Sequence, residues 1–449
     1  MGNKKDVLWV EGLRGIASFM VIMTHFTRAW DPWQFSPADS DGGTPRIIQW
    51  PVIRIPGQGR LGVTIFGFLT GFVCALKPLR YARERNYNAG LTSVAKSAFR
   101  RPPRLIMPAA IAMCIAWTLA QFGAYRVATR CDAQWLRDAS PHVDGHSLWF
   151  EIKRLFFVFL ATWTNGHMDY DDHQWALLPL LKGSMIVYVA LAATMFMKYR
   201  YRMLVYFLMM AYWHQSPKPD TETFGLQMFY GMVLSDTANE PKFHALMAKY
   251  KWQRKVLCVV LLVLGLFVGS YPNSNAHFKP WSNTLKMIAE KIFPPNTNTG
   301  KRYSALGVDM VIFAIFMSPS TKELLSNRLF LYFGKNSFAV YLIHGTLLRT
   351  LLCWMVYGTI SGEPFPMKKD DEGNDVPVAW LKRASFGVMT FWILVWLLIV
   401  YACAHAWTKY VDAWCARVTQ KLENRMFESE ESEKGAVRDQ AGNRPLLPQ

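Results

Sequence analysis

The chain has 449 residues, 51% of them hydrophobic and 14% aromatic, with a formal net charge of +18. Apolar runs recur near 10–27, 61–76, 105–122, 176–197, 203–213, 224–234, 256–270, 305–317, 329–357 and 385–407, and several reach the roughly 20 residues that a bilayer core demands. Runs this many and this long exclude an ordinary soluble protein. The basic excess gathers in short loops and reads as membrane topology rather than nucleic-acid binding.

The first run follows Lys4 and Lys5, as a signal peptide would. Glu11, Arg14 and His25 interrupt it and no A-x-A site follows, so the run is read as an uncleaved first span. Arg14 and His25 are eleven residues apart. Eleven steps of about 100° bring both side chains to within about 20° of one face, about 16.5 Å apart along the axis. Glu11 and Ser18 share that stripe. Ionisable groups in a bilayer face a protein interior and mark a functional path. His25 alone on the stripe can accept a proton near neutral pH, as a general base must.

The Pro- and Gly-rich segment 28–59 is placed outside, and the run 61–76 returns to a loop carrying Arg80, Arg83, Arg85, Lys96, Arg100, Arg101 and Arg104, placed in the cytoplasm. The glycines of Gly62–Phe72 suit close helix packing better than phosphate binding. Arg100-Arg101-Pro102-Pro103-Arg104 leads into the third span, where forked guanidiniums suit the phosphates of a nucleotide and equally suit holding topology or touching anionic lipid. Residues 148–163 are apolar but carry Glu151, Lys153 and Arg154, and are read as a re-entrant or interfacial helix. His167-Met168-Asp169-Tyr170-Asp171-Asp172-His173 is read as a solvated outer loop rather than a metal site, its spacing fitting no standard one. With Trp163 and Trp175 beside it, the same group suits a hydroxylated acceptor. His344, in Tyr341-Leu342-Ile343-His344, is read as a packing histidine with a polar cavity role as the alternative.

Basic segments at 242–255 and at Lys322 and Arg328 are placed inside, and 271–302 outside. The expectation is an all-α, polytopic membrane bundle of about ten transmembrane helices plus one re-entrant or interfacial helix, both termini cytoplasmic. Residues 1–422 form one membrane-embedded domain, and the charged tail 423–449, without apolar periodicity, is expected to be disordered. The seven cysteines are scattered without a C-x-x-C pair, which supports neither a disulfide framework nor a metal knuckle.

Four ordered stretches resemble the acyltransferase family 3 proteins, integral membrane O-acyltransferases, in the form common in fungi. Gly12-Leu13-Arg14-Gly15-Ile16-Ala17 through His25 is similar to the family's R-x10-H signature. Gly62 to Phe72 resembles its G-V-x-x-F-F-x-L-S-G-F segment, and Arg100 to Pro108 its R-x-x-R-x-x-x-P approach to the third span. Phe333 to His344 resembles its G-K-x-S-Y-x-x-Y-L-x-H run. The resemblance implies acyl transfer, most simply of acetyl, from acyl-CoA to a hydroxyl of a small molecule or carbohydrate. It implies that His25 is the base, that Arg14 serves catalysis with it from about 16.5 Å along the helix, and that Arg14, Arg101 and Arg104 contact the donor. Glu11, Asp172, His173, Trp175, Lys182, Tyr341 and His344 are the expected acceptor-side residues, with no metal and no permanently bound cofactor.

The segment from Trp175 to Ser184 resembles the family's W-[ST]-x-x-x-E block, but Leu180 stands where the glutamate is expected. Thr64 likewise replaces an acidic residue and Thr70 a serine. The competing expectations are a polytopic transporter or lipid-binding protein, for which no internal repeat speaks, and an inactive relative of the family.

Overall fold

The computed structural model describes residues 7–143, 147–215, 222–358, 367–377 and 380–427. Helices dominate: α1 (Leu8–Trp30), α2 (Gly59–Arg83), α3 (Tyr87–Gln121), α4 (Gln134–Asp138), α5 (Leu148–Thr164), α6 (Leu177–Thr194), α7 (Tyr199–His214), α8 (Glu222–Ala238) and α9 (Pro241–Lys249). There follow α10 (Lys251–Gly269), α11 (Pro280–Ile292), α12 (Thr299–Met317), α13 (Pro319–Leu325), α14 (Arg328–Leu347), α15 (Cys353–Tyr357), α16 (Phe386–Trp407) and α17 (Ala413–Met426). The described strands are a small antiparallel hairpin pairing Met367–Lys369 with Asp375–Pro377.

Each apolar run of the sequence lies on one of these helices. Six helical stretches among the described residues are long and apolar enough to cross a membrane: Gly59–Arg83, Tyr87–Gln121, Asp172–Thr194, Lys251–Gly269, Arg328–Tyr357 and Phe386–Met426. A seventh follows if α12 and α13, bent by 103° at their junction, count as one broken span. The chain is thus an all-α membrane protein. Its outward faces agree: α10 exposes Val259, Val260, Val263 and Leu264, and α16 exposes Phe386, Phe391, Leu394 and Leu398, the surface a hydrocarbon solvent would cover.

Small residues let the inner helices approach closely, as packing without a hydrophobic drive requires. A Cβ on Gly334 of α14 would sit 1.9 Å from the Glu11 carbonyl of α1, and one on Gly12 would sit 1.9 Å from the Leu325 carbonyl. On α2 a Cβ at Gly71 would sit 1.9 Å from the Met228 carbonyl of α8. The glycines of Gly62–Phe72 therefore serve helix contact. Pro102, Pro103 and Pro108 all lie inside α3.

The segment between α1 and α2 folds over the C-terminal end of α1 by polar contacts. Thr24 Oγ1 donates to the Gly57 carbonyl at 2.9 Å, and buried Arg54 donates to the Gln34 carbonyl at 2.7 Å. At the other end of the bundle Arg100 of α3 grips Glu423 of α17. The charged tail expected from Glu423 therefore begins inside the last turns of α17, and its remainder lies outside the described residues.

Candidate active site

The C-terminal half of α1 brings His25 to the wall of a cavity of about 850 Å³. The cavity lies between α1, α2, α6 and α8 and is lined on its apolar side by Trp175, Trp213, Phe224, Met228 and Phe229. Arg28, Lys182, His173 and Tyr341 supply polar groups. A mostly apolar pocket of this size with a few convergent polar side chains suits a small organic ligand.

Four rings meet at its inner wall. The His25 imidazole stacks on Trp135 of α4 with centroids 5.3 Å apart and planes at 16°. It packs against His173 at 3.8 Å and His344 at 5.2 Å, and His173 lies 4.8 Å from His344. His344 Nδ1 sits 2.8 Å from the Val340 carbonyl and 3.0 Å from that of Tyr341. That assigns its hydrogen to Nδ1 and leaves Nε2 with no partner among the described residues. His25 Nδ1 is likewise buried and unpartnered.

His173 is held differently, by carboxylates. Its Nδ1 lies 2.6 Å from Asp172 Oδ1 and 2.9 Å from Asp171 Oδ1. Neither oxygen is in line with the ring N–H, so both are charge contacts rather than directed hydrogen bonds, and Nε2 is unpartnered. Asp171 is anchored in turn by Arg349 Nη2 at 2.7 Å, both side chains being fully buried. Burial works to raise the Asp171 carboxyl, but the charges of His173 and Arg349 outweigh it and hold the group below the ordinary carboxylate range. The Arg349 guanidinium also donates to the carbonyls of Ala139 and Gly345. It sits on the π-helical turn Leu348–Leu352 that continues α14, an irregularity common at functional sites. The Tyr341 hydroxyl donates to the backbone carbonyl of His173.

One ligand atom from each of His25, His173 and His344 lies within 4.8 Å of the others, as does one from each of Asp171, Asp172 and His173. Two imidazoles bound to one tetrahedral ion at Zn–N distances of 2.0–2.1 Å hold their centroids about 5 Å apart. The 3.8 Å contact between His25 and His173, with planes tilted by 44°, is too close for that convergence.

The structure thus brings His25, His173, Trp175, Lys182 and Tyr341 to one cavity, with Asp172 and His344 in contact with its wall. The solvated loop expected at 167–173 is corrected here. His167 is exposed, but Asp171 and His173 are buried because Arg349 and Tyr341 draw them inward. The packing role expected for His344 is enlarged, since its ring contacts both other imidazoles.

The basic residues stand apart. Arg14 pairs with Glu11 at 3.1 Å, and neither lines the cavity. Arg101 reaches Thr70 Oγ1 at 3.5 Å and Arg104 is exposed on α3. Leu180 packs against the hydrophobic core and does not line the cavity.

Three residues were missed from sequence. Arg349, a charge inside an apolar run, satisfies the same rule that singled out Arg14. Asp171 was passed over for its neighbour Asp172. Trp135 carries no sequence signal, since only the fold lays α4 against α1.

Comparison with known proteins agrees with the resemblance of the sequence motifs. The chain is similar to the O-acetyltransferase PaAT-1 of Phomopsis amygdali, with 25% identity over 94% of this chain and 86% of that protein. It is also similar to the acyltransferase clz18 of Cochliobolus lunatus, with 21% identity over 77% of this chain and 83% of the relative. For the acyltransferase R4 of a Phoma species the values are 21%, 76% and 82%. No solved structure matches. The acyltransferase domain of family 3 matches residues 7–408, nearly the whole chain, and the protein therefore belongs to that acyltransferase family.

Proposed function

We propose that the protein is a membrane O-acyltransferase that moves an acyl group, most simply acetyl, from acyl-CoA to a hydroxyl of a small molecule or carbohydrate bound in the cavity. The observation that carries this reading is His25, which the family resemblance makes the base, set in the wall of an 850 Å³ cavity with aromatic lining. In this reading the donor is a co-substrate and no cofactor is permanently bound. Arg101 and Arg104 hold its phosphates at the cytoplasmic side, Arg14 lies along the pantetheine path, and the thioester reaches His25.

His25 takes the acceptor's hydroxyl proton as the oxygen attacks the thioester carbonyl. A tetrahedral intermediate forms and collapses, the C–S bond breaks, and CoA leaves as the thiol. A covalent cysteine intermediate is not used, since no cysteine lies on the Arg14–His25 stripe. Trp175, Lys182, Tyr341 and the Asp172–His173 group face or support the acceptor, and Glu11 holds Arg14. We place residues 1–422 in one domain of ten spans plus an interfacial α5, with both termini cytoplasmic and the cavity on the opposite side.

Leu180, where the family resemblance calls for glutamate, favours one second reading, a relative that binds acyl-CoA without turning it over. The test for both is CoA thiol release from acetyl-CoA by purified protein in nanodiscs, with and without a crude extract of host metabolites, beside His25→Ala. Extract-dependent release that the variant loses supports transfer. Binding of acetyl-CoA without release supports the inactive relative, and no binding overturns both.

A further inference from the structure

We propose that His173, with Asp172 and Asp171 against its Nδ1, is a second catalytic imidazole that delivers a proton to the departing thiolate while His25 takes the acceptor's proton. The inference deepens the acyl-transfer reading and rests on it.

Three observations of placement lead there. His173 and His25 line the same cavity with centroids 3.8 Å apart, so an acyl carbonyl reached by one imidazole lies within reach of the other. The two rings differ in support. His25 has Trp135 on its face and an unpartnered Nδ1, and no carboxylate contact is seen for it among the described residues. His173 has two carboxylate oxygens within 2.9 Å of Nδ1, one belonging to an aspartate locked by a buried arginine. Two carboxylate charges against Nδ1 compensate the ring when it carries a second proton, which leaves Nε2 as the nitrogen that gives it up. Nε2 of His173 has no other partner among the described residues.

Third, the backbone is pinned where the ring must be held still. The Tyr341 hydroxyl on the His173 carbonyl and the Arg349 guanidinium on Asp171 fix both ends of the unit to α14 and its continuation. Holding a group within a few tenths of an ångström by its supporting residues is what acid–base catalysis needs.

The step balances. The acceptor O–H breaks and its proton forms an N–H on His25. The C–O bond forms and the C–S bond breaks. The Nε2 proton of His173 passes to sulfur, giving CoA thiol. His25 is left protonated and His173 neutral, and one proton returned through cavity water resets the pair.

A leaving-group comparison separates this role from a structural one. Acetyl-CoA leaves as an alkyl thiolate that gains from protonation, whereas S-(4-nitrophenyl) thioacetate leaves as a stabilised aryl thiolate that needs none. Both donors are assayed with water and with 1-decanol as acceptors, using the full chain in nanodiscs. His173→Gln is expected to slow release from acetyl-CoA by about 100-fold, within the range of one acid–base group, and from the aryl thioester by less than about 5-fold. The alkaline limb of its kcat/KM profile with acetyl-CoA should vanish.

Asp172→Asn, at a half-exposed side chain, should give the same selectivity at smaller size, which guards against a folding defect in the first variant. His25→Ala should slow both donors alike. Equal loss with both donors in His173→Gln and Asp172→Asn, or no loss with either, overturns the role of His173 while leaving acyl transfer intact. No release from the unaltered protein with either donor overturns acyl transfer, and this role with it.

Discussion

Replacing Arg349 with leucine tests the polar anchor beneath the cavity. Its guanidinium lies 2.7 Å from Asp171, with both side chains fully buried, and it also serves the Ala139 and Gly345 carbonyls. Removing it leaves a fully buried carboxylate with only the His173 imidazole beside it, at a cost of up to about 3–5 kcal/mol. A carbonyl left without its donor adds about 1–3 kcal/mol where water cannot reach it. Asp171→Asn alone strands the guanidinium instead. The two positions share one interaction, so their costs are not additive. Arg349→Leu with Asp171→Asn should be more stable than the sum of the singles by about 1.5–3 kcal/mol. Equilibrium unfolding in micelles of fixed composition, run as a double-mutant cycle, gives that coupling directly. Additivity within about 0.5 kcal/mol, or a cost below about 1 kcal/mol for Arg349→Leu, would refute the view that this pair holds the His173 segment inward.

Gly71→Ala drives a methyl to 1.9 Å from the Met228 carbonyl, where overpacking costs at least about 1–3 kcal/mol. A lower Tm and less monodisperse protein are expected, while Gly387→Ala, with open space around it, should match the parent. Arg101→Ala should weaken acetyl-CoA binding about 10- to 100-fold, the worth of a charged hydrogen bond of about 1.5–3 kcal/mol. Titration calorimetry in nanodiscs checks this, with Arg80→Ala as the basic-loop control. Leu180→Glu puts a carboxylate against the core rather than into the cavity, so CoA release should fall or stay level. A rise in turnover would instead show that a missing carboxylate limits the reaction.

Helix positions were legible in the sequence because bilayer length and apolar runs are one-dimensional properties. All ten runs fall on helices, and the glycines of α2 serve the close contact expected of them. The Arg14–Glu11 pair was legible for the same reason, three residues apart on one helix. The wall of the cavity was only half legible. Charge density at 167–173 suggested a solvated loop, since pattern alone cannot show that Arg349, some 178 residues away, reaches Asp171. The ring stack of Trp135 on His25 depends on how the segment after α3 folds back, which no periodicity records.

The geometry places different demands on the two ends of α1. At Arg14 the helix surface is polar and partly open, its charge shared with Glu11, which suits a group that must bind and release a charged donor. At His25 the helix is walled by aromatic rings and buried polar anchors, which suits a group that must act on a reacting bond with water limited. Eleven residues of helix fix the spacing between those ends at about 16.5 Å. The α1–α14 contact at Gly15 and Gly334, with Gly12 against the end of α13, keeps the helix from sliding. A donor long enough to be held by its phosphates near α3 and to present its thioester at His25 therefore has to lie along α1. Donor length, set by the pantetheine arm, is then the dimension along which acyl-CoA would be distinguished from a shorter thioester. Acetyl-CoA should accordingly outcompete S-acetyl-N-acetylcysteamine by far more than the phosphate contacts proposed for Arg101 alone would supply. Equal kcat for the two donors at saturation, with only KM changed, would show that the arm contributes binding and not alignment.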